Sequence, residues 1–200
     1  MKNNIKKNTI ATFFDSLANK RSYWISKNTG FHSEDIKMLK EIIPKGKRVL
    51  ELGCGNGHVL DSLQPSVGVG IDISTKMILE AKKKYVKYDF KDGDIHGLEN
   101  IIKDQHFDFI LISDTIGYLN NVQDVLSKIH SYCTPQTRLI VSYFSPFWSP
   151  ILSMATYFKC KMPDLDPPLF STSDITNFLN ISNFETVRIE KKILLPIKFF

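Results

Sequence analysis

The stretch Val49–Leu60, VLELGCGNGHVL, determines how the rest of the sequence is interpreted. An apolar run carries Glu51, and glycines then occupy positions 53, 55 and 57 before apolar residues resume. Glycine lets the backbone turn sharply and approach a ligand without a Cβ in the way. A helix that follows offers unpaired N–H groups at its start. The stretch therefore predicts a strand, a ligand-binding loop and a helix, with a small molecule lying across the loop.

Strands and helices alternate along the chain around this stretch. The predicted strands are 48–52, 67–73, 86–90, 107–113 and 137–144. The predicted helices between them are 58–63, 74–85 and 122–132, with a short helix at 97–103. Such alternation indicates βαβ units. We therefore expect an α/β fold, a doubly wound, Rossmann-like, mostly parallel sheet with helices on both faces and its ligand at the carboxyl ends of the strands.

The two ends of the chain depart from the alternating pattern. Residues 1–44 predict a helical cap or lid, with a first helix over 8–24 and a second helix that begins after Ser33 as its N-cap. Residues 45–200 form the predicted ligand-binding domain. The segment 183–197 can supply a sixth strand, and no seventh follows it, so we expect an incomplete C-terminal strand pair.

Composition favours one globular domain of 200 residues, 42% of them hydrophobic and 24% charged. The N-terminus has no apolar core of signal-peptide length, and the longest aromatic-apolar run is too short to cross a bilayer, so we expect a cytoplasmic protein with no transmembrane segment. The net charge of +5 raises the question of a nucleic-acid partner. Only 4 of the 26 basic residues are Arg, the residue favoured for bidentate phosphate contacts, and this argues against such a partner.

The three cysteines show neither metal-ligand spacing nor a disulfide framework. Cys54 lies inside the glycine loop, and packing is its expected role. No other cluster of metal-ligating residues appears, so we expect no metal.

The glycine spacing and Glu51 distinguish between two kinds of nucleoside ligand. A dinucleotide loop reads G-x-G-x-x-G, which would place its third glycine at position 58, where this chain has His58. A buried carboxylate at Glu51 would oppose a pyrophosphate. It suits a cationic ligand with an ammonium and a sulfonium group, which favours S-adenosylmethionine over NAD.

Acidic residues after later strands extend this predicted site. Asp72 follows Gly53 by 72 − 53 = 19 residues, where a carboxylate can accept both ribose hydroxyls. Ile73 can pack on the adenine face, and Asp94 can accept a hydrogen bond from the adenine amino group, although a turn residue is the alternative for Asp94. Asp114, after the fourth strand, faces the cleft or caps a loop.

Taken together, VLELGCGNG, GVGIDIS, GDI, FDFILISDTIGYL and TRLIVSYF resemble the motifs of class I S-adenosylmethionine-dependent methyltransferases, in order and spacing, over about residues 45–145. The flanking segments are similar to bacterial methyltransferase domains of unassigned substrate. The resemblance implies S-adenosylmethionine as cofactor and S-adenosylhomocysteine as product. It implies cofactor contacts from Glu51, Gly53, Cys54, Asn56, Gly55, Gly57, Asp72, Ile73, Met77, Asp94, Ile95, Ser113 and Asp114.

The expected reaction is transfer of the methyl group by in-line displacement to a small-molecule acceptor or to one linked to a lipid or glycan. A general base is needed only if the acceptor must lose a proton, and the candidates are His32 and Tyr118. The segment 145–172 would then be an acceptor-side insertion, with Trp148, Met154 and Phe158 covering an apolar acceptor. The sequence DPPL at 166–169 resembles a motif of amino-methylating nucleic-acid enzymes, but it follows the fifth strand and not the fourth.

Three alternatives remain open. An RNA methyltransferase would explain the positive charge. A methyltransferase-like scaffold without catalysis would not need the intact glycine loop and Asp72. An NAD-dependent oxidoreductase is disfavoured by His58 and Glu51. The sequence leaves the acceptor, its reacting atom and the oligomeric state undetermined.

Overall fold

The computed structural model describes residues 2–103 and 106–192, with side chains from residue 7 onward. Its centre is a five-stranded sheet in which every neighbouring pair is parallel, in the order β3-β2-β1-β4-β5. The strands are β1 (Arg48–Leu52), β2 (Val67–Asp72), β3 (Asp89–Asp92), β4 (Phe109–Ser113) and β5 (Arg138–Ser142). The chain places β2 and β3 on one side of β1, and then β4 and β5 on the other side. This change of direction, between β1 and β4, creates the crevice where doubly wound sheets bind ligands.

Seven α-helices surround the sheet in the described part of the chain. They are α1 (Lys2–Lys27), α2 (Thr29–Ile42), α3 (His58–Leu63), α4 (Thr75–Lys84), α5 (Val122–Ser131), α6 (Ser149–Tyr157) and α7 (Thr172–Ile181). Three short 3₁₀ helices cover Ile95–Asn100, Ile116–Tyr118 and Pro146–Trp148. The predicted fold class is confirmed.

Helices cover both faces of the sheet because side chains alternate along each strand. Leu50 and Leu52 of β1 point into a buried cluster with α5 and α7. Val49, from the other face, packs in a second cluster with Leu39 of α2 and Leu60 of α3. Two apolar cores therefore fix the sheet between helices on both sides, as predicted.

Several predicted boundaries differ from the structure. Helix α2 begins at Thr29 and not after Ser33, whose hydroxyl instead donates to the backbone oxygen of Gly30 at 2.9 Å inside the helix. Strand β3 begins at Asp89 and not at residue 86, because Tyr88 is still in the turn that follows α4. The described part of the predicted sixth strand, 183–192, is not a strand, and its remaining residues lie outside the described residues.

Helix α1 crosses the carboxyl ends of the strands. The carboxylate of Asp15 accepts a hydrogen bond from the Ser74 hydroxyl at 2.6 Å and from the backbone N–H of Lys76 at 2.9 Å. Farther along α1, the hydroxyl of Ser22 accepts from Asn56 in the glycine loop at 3.3 Å. These contacts place α1 over the edge of the sheet where the ligand is expected. Among the described helices, none has the length and apolar character needed to cross a membrane.

Candidate functional site

A cavity of about 560 Å³ opens at the carboxyl ends of β1, β2 and β4. One half is bounded by the glycine loop and the segments after β2, β3 and β4, and we call it the polar half. The other half is bounded by the end of α1, the start of α2, α6 and the loop that follows α6, and we call it the apolar half. The site that the sequence predicts at this edge of the sheet is therefore a real cavity with two distinct ends.

The glycine loop brings bare backbone to the polar half. Gly53, Gly55 and Gly57 have φ angles of +80°, +51° and +76°, a region that side chains with a Cβ rarely adopt. A Cβ on Gly53 would lie 2.0 Å from the hydroxyl oxygen of Thr115, so a larger residue cannot fit there. A Cβ on Gly55 would meet no atom within 4 Å, which shows open space beside this backbone.

Gly57 serves the packing of the loop. It does not line the cavity, and a Cβ there would lie 2.6 Å from the ring of Phe90. Cys54 and Asn56 are also buried and do not line the cavity. Cys54 packs against Gly70 of β2, in agreement with its expected packing role. Gly57, Cys54 and Asn56 therefore support the loop by packing and do not line the cavity.

Asp72 joins the end of β2 to the glycine loop. One carboxylate oxygen accepts the backbone N–H of Gly55 at 2.7 Å, and the other accepts the backbone N–H of Ser74 at 2.9 Å. Burial raises the pKa of Asp72, and these two hydrogen bonds oppose the rise. Each oxygen keeps a lone pair for a further donor, so Asp72 can hold the loop and a ligand together.

The predicted adenine-side residues come together along one wall. Ile73, Met77, Asp94 and Ile95 all line the polar half. Asp94 caps the 3₁₀ helix by accepting from the backbone N–H of His96 at 3.0 Å. Asp94 is therefore a helix-capping residue that also lines the cavity.

The Asp94 carboxylate is already engaged by two basic side chains. One oxygen lies 2.8 Å from Nδ1 of His96, and the other lies 3.2 Å from Nζ of Lys7. Burial would raise the pKa of Asp94, but the hydrogen bonds from His96 and Lys7 hold it below its ordinary value. Nε2 of His96 is buried without a partner in the described residues and His96 lines the cavity, so this nitrogen can meet a ligand.

Glu51 lies buried behind the glycine loop, 1% exposed. It does not line the cavity, and one of its carboxylate oxygens has no hydrogen-bond partner in the described residues. Burial raises its pKa to about 8, while the backbone N–H of Leu60 opposes the rise. The carboxyl group is thus largely protonated near neutral pH, and a cation bound nearby would favour its ionised form.

Ser113 and Asp114 close the floor of the cavity after β4. The Ser113 hydroxyl accepts from the hydroxyl of Ser142 on β5 at 3.1 Å. Asp114 has a φ of +50°, and its backbone N–H donates to the Ser142 oxygen at 3.1 Å. The Asp114 side chain is exposed to the open cavity, yet the protein that surrounds it displaces enough water to raise its pKa to about 7, with Asp35 adding to the rise and Arg21 opposing it. Asp114 is therefore a titratable group near neutral pH in the cavity wall.

Arg21 is a cavity residue that the sequence analysis missed. It comes from α1, half-buried, and its recorded hydrogen bond within the described residues goes to the sulfur of Met162 at 3.6 Å. Burial lowers the pKa of its guanidinium. The negative charges of Asp114, Asp72 and Glu51 oppose that change. The remaining guanidinium donors are available to an anionic group of a ligand.

His32 and Tyr118, the two base candidates, both line the cavity. Burial lowers the pKa of His32 to about 4, and Arg21 and His58 act in the same direction, so the ring is neutral at pH 7. Burial raises the pKa of Tyr118, which keeps its phenol protonated at neutral pH. Tyr118 is therefore suited to donate a hydrogen bond and is unsuited to act as a base.

Aromatic and aliphatic side chains make up much of the apolar half, which Lys161, Asp164 and Asp166 of the loop after α6 also line. The rings of Phe31 and Phe144 stack with centroids 5.8 Å apart. Trp24, Trp148 and Leu152 line the same half. Trp148 and Leu152 belong to the predicted acceptor-side segment 145–172, whereas Trp24, Phe31 and Phe144 lie outside it.

Of the three predicted acceptor residues, only Trp148 lines the cavity. Met154 and Phe158 lie on the outer side of α6, 56% and 64% exposed. Position 154 is six residues from position 148, which rotates it by about 120° around a helix, so the two side chains cannot share a face.

The 166–169 segment folds back over the residues that follow β4. A Cβ on Gly117 would lie 2.8 Å from the backbone oxygen of Pro168 and 3.0 Å from Pro167. The segment therefore lines the cavity although it follows β5 in sequence. Among the described residues, no group of three or more His, Cys, Asp or Glu is arranged to hold a metal ion.

Comparisons with known proteins agree with this geometry. The sequence model of the family described as "Methyltransferase domain" matches residues 25–189. An uncharacterized protein of Methanocaldococcus jannaschii is 23% identical over 190 residues, which cover 92% of this chain and 86% of that protein. The chain spans less than half the length of several other curated relatives that it matches.

Two solved structures share the fold. The protein bound to the Trm112 methyltransferase activator of Haloferax volcanii has a TM-score of 0.75 at 17% identity, over 94% of this chain and 82% of that chain. Magnesium protoporphyrin IX methyltransferase of Synechocystis, crystallised with SAH bound, has a TM-score of 0.70 at 20% identity, over 91% of both chains. At these identities the likeness establishes the architecture of the sheet and helices.

Proposed function

The chain belongs to the methyltransferase-domain family, which confirms the predicted resemblance to class I S-adenosylmethionine-dependent methyltransferases, and we propose that its cavity holds the methyl donor in the polar half and an acceptor with an apolar body in the other. The observation that carries this proposal is that one cavity is lined both by the glycine loop with the acidic residues after β2, β3 and β4 and by a group of aromatic and aliphatic side chains. When bound, S-adenosylmethionine supplies a methyl group on a positively charged sulfur.

The polar half fits the donor's charges. Asp72 and Asp114 line the cavity and both act electrostatically on Arg21, so these acidic groups share one region. A ligand with a sulfonium and an ammonium group suits such a region, whereas a pyrophosphate does not. No carboxylate among the described residues forms an ion pair with Arg21, so its guanidinium would be free to pair with the donor's carboxylate.

The backbone and the adenine-side wall fit the nucleoside. Asp72 would accept the ribose hydroxyls while it keeps its hydrogen bond from Gly55. The open space at Gly55 leaves room for the ligand against the loop. Ile73 and Met77 would flank the adenine, and His96 would meet its polar edge, because Asp94 is already engaged.

Helices α1 and α2, within the predicted cap of residues 1–44, would close this half. Asp15 fixes α1 to the start of α4, and Arg21 lies about 1.7 turns farther along the same helix. A donor that pairs with Arg21 would therefore bind the cap and the sheet together.

Asp114 is the group best placed to remove a proton from an acceptor that must lose one. The Asp114 carboxylate has a pKa of about 7, which suits a general base at neutral pH. His32 has a pKa of about 4 and is therefore a weaker base. Tyr118 would orient the acceptor by donating its phenolic proton. Trp24, Trp148 and the other apolar walls would exclude water from the reacting atoms.

The acceptor proposal is tested by tryptophan fluorescence, because the two tryptophans of the chain, Trp24 and Trp148, both line the apolar half. Primary alcohols of increasing chain length are titrated against the protein saturated with S-adenosylhomocysteine. Each further buried methylene contributes about 0.8 kcal/mol, so we expect the affinity to rise about fourfold per carbon. Leu152→Ser should flatten this dependence, and the exposed Leu79→Ser should not. An affinity that is independent of chain length would contradict an apolar acceptor.

A further inference from the structure

Helix α6 presents two different faces. Trp148 and Leu152 line the apolar half of the cavity, and Ala155, one turn on, is buried. These positions follow at i, i+4 and i+7, which is the spacing of one helix face. The inner face of α6 is therefore part of the proposed acceptor site.

The outer face of α6 is apolar and exposed. Ile151 and Met154 of α6 are 38% and 56% exposed. Phe147, in the 3₁₀ helix before α6, and Phe158, directly after α6, extend this spacing at either end and are 92% and 64% exposed. Tyr157 lies beside them, 82% exposed. We call these five side chains the outer stripe. Contiguous apolar side chains on a surface, three of them aromatic, mark a contact with a partner or a membrane.

Lysines are the charged residues nearest to the outer stripe in sequence, and the first acidic residues after it are Asp164 and Asp166. The sequence has no Asp or Glu from residue 125 to 163, and none from residue 16 to 33. These two segments meet where Nζ of Lys27 donates to the backbone oxygen of Lys159 at 2.6 Å. Lys27 and Lys159 are both exposed, and Lys20 lies two turns back on the face of α1 that carries Lys27. The outer stripe thus has a basic border.

We propose that the outer stripe docks on the surface of a membrane that contains anionic lipids. Aromatic side chains settle at the boundary between headgroups and acyl chains, and lysines beside them attract anionic headgroups. A helix of nine residues is too short to span a bilayer, so α6 would lie in the plane of the interface. The positive border selects an anionic surface over a neutral one.

The two faces of α6 give this docking a consequence. If the proposed function holds, an apolar acceptor could leave the bilayer at the outer stripe and reach Trp148 and Leu152 on the other side of the same helix. The acceptor class would then be an amphiphile that resides in the membrane. The docking itself does not depend on methyl transfer, so the two proposals can be tested separately.

Vesicle flotation tests the docking without donor or acceptor present. The full chain is mixed with vesicles of phosphatidylcholine alone, or of phosphatidylcholine and phosphatidylglycerol in equal parts. We expect the protein to float with the anionic vesicles, with an affinity at least about tenfold above that for neutral ones. Binding should weaken as salt rises from about 0.05 M to about 0.5 M, because the lysine contribution is screened.

Matched exposed substitutions test which surface is used. Met154→Glu and Phe158→Glu should each lower the affinity for anionic vesicles about tenfold or more. Val86→Glu, at an 87% exposed position outside the outer stripe, should leave it unchanged. Lys159→Glu should weaken binding, and Lys83→Glu, an exposed lysine of α4, should weaken it less. Circular dichroism checks that every variant is folded.

Two outcomes would overturn the proposal. One is a wild-type protein that does not float, or a Met154→Glu variant that floats as the Val86→Glu variant does. The other is a protein that forms a dimer by light scattering, which Met154→Glu dissociates without any change in vesicle binding. That result would mean that a second copy of the chain covers the outer stripe. Neither outcome would affect the donor site, which calorimetry measures independently.

Discussion

The carboxylate of Asp72 accepts the backbone N–H of Gly55 at 2.7 Å, and this contact ties the carboxyl end of β2 to the glycine loop that follows β1. The loop therefore depends on the residue that is expected to bind the ribose. A change at Asp72 removes a ligand contact and also releases the backbone that the ligand lies against. The polar half of the cavity is in this sense one unit, built from two neighbouring strands.

Arg21 offers a way to test the donor's orientation. We expect Arg21→Met to weaken S-adenosylhomocysteine binding about 10- to 100-fold, because a hydrogen bond to a charged group contributes about 1.5–3 kcal/mol. The same variant should change the affinity for 5′-methylthioadenosine less than about twofold, since that nucleoside lacks the amino-acid carboxylate. Calorimetric titration measures both.

Lys20→Met, one position earlier and exposed, is the matched control and should alter neither affinity. Equal losses for the two nucleosides in Arg21→Met would show that Arg21 supports the loop and does not contact the carboxylate.

The protonation state of Asp114 should change the relative affinity of the protein for S-adenosylmethionine and S-adenosylhomocysteine. Below pH 7 the carboxyl group is largely protonated, and above it the carboxylate attracts the positive sulfonium. We therefore expect the ratio of the affinities for S-adenosylmethionine and S-adenosylhomocysteine to rise about three- to tenfold as pH increases through about 7. The measurement is a pair of calorimetric titrations at several pH values.

In Asp114→Asn the rise near pH 7 should be smaller than in the wild type, with Glu51 left as the titrating group, whereas Asp89→Asn, on exposed Asp89 of β3, should keep the wild-type profile. A rise in Asp114→Asn as large as that in the wild type would assign the titration to another group.

Ionisation of buried Glu51 should lower the free energy of unfolding of the unliganded protein as pH rises. Its folded-state pKa of about 8 lies above the ordinary 4.5, so the folded chain binds the proton more tightly than the unfolded chain. The stability that comes from this tighter proton binding is fully present below pH 4.5 and is lost as pH rises to about 8. The loss is on the order of a few kcal/mol, and urea unfolding at pH 5 and pH 8 measures it.

Glu51→Gln cannot ionise, and its free energy of unfolding should fall less between the two pH values than that of the wild type. Glu34→Gln, at an exposed position of α2, should follow the wild type. A Glu51→Gln variant with the full wild-type pH dependence would contradict the raised pKa.

The fold could be predicted because its determinants are local. Apart from β3, whose sequence is DFKD, the parallel strands are short and largely apolar runs. The loop between β1 and α3 needs glycine at positions where φ is positive. Asp72 and Asp114 could be placed because Asp72 ends β2 and Asp114 directly follows β4, and the carboxyl ends of parallel strands meet at the same edge of the sheet. Such residues are fixed by the strand that precedes them.

Arg21 could not be predicted, because it reaches the cavity from a helix that precedes the sheet. Its position depends on how Asp15 fixes α1 against Ser74, a contact between residues 59 positions apart. The assignment of Met154 to the acceptor failed for a related reason. The sequence shows an apolar helix, but the face that turns inward is fixed by packing against the cavity, and both faces of α6 are apolar.

Calorimetric titration with S-adenosylmethionine, S-adenosylhomocysteine and NAD tests the central claim most directly. We expect both methionine nucleosides to bind and NAD not to bind. Asp72→Ala should weaken the two that bind about 100-fold or more, because it removes charged hydrogen bonds to the ligand and to Gly55. Asp89→Ala should leave them unchanged. Binding of NAD, or nucleoside affinities that are equal in Asp72→Ala and the wild type, would contradict the proposed donor site.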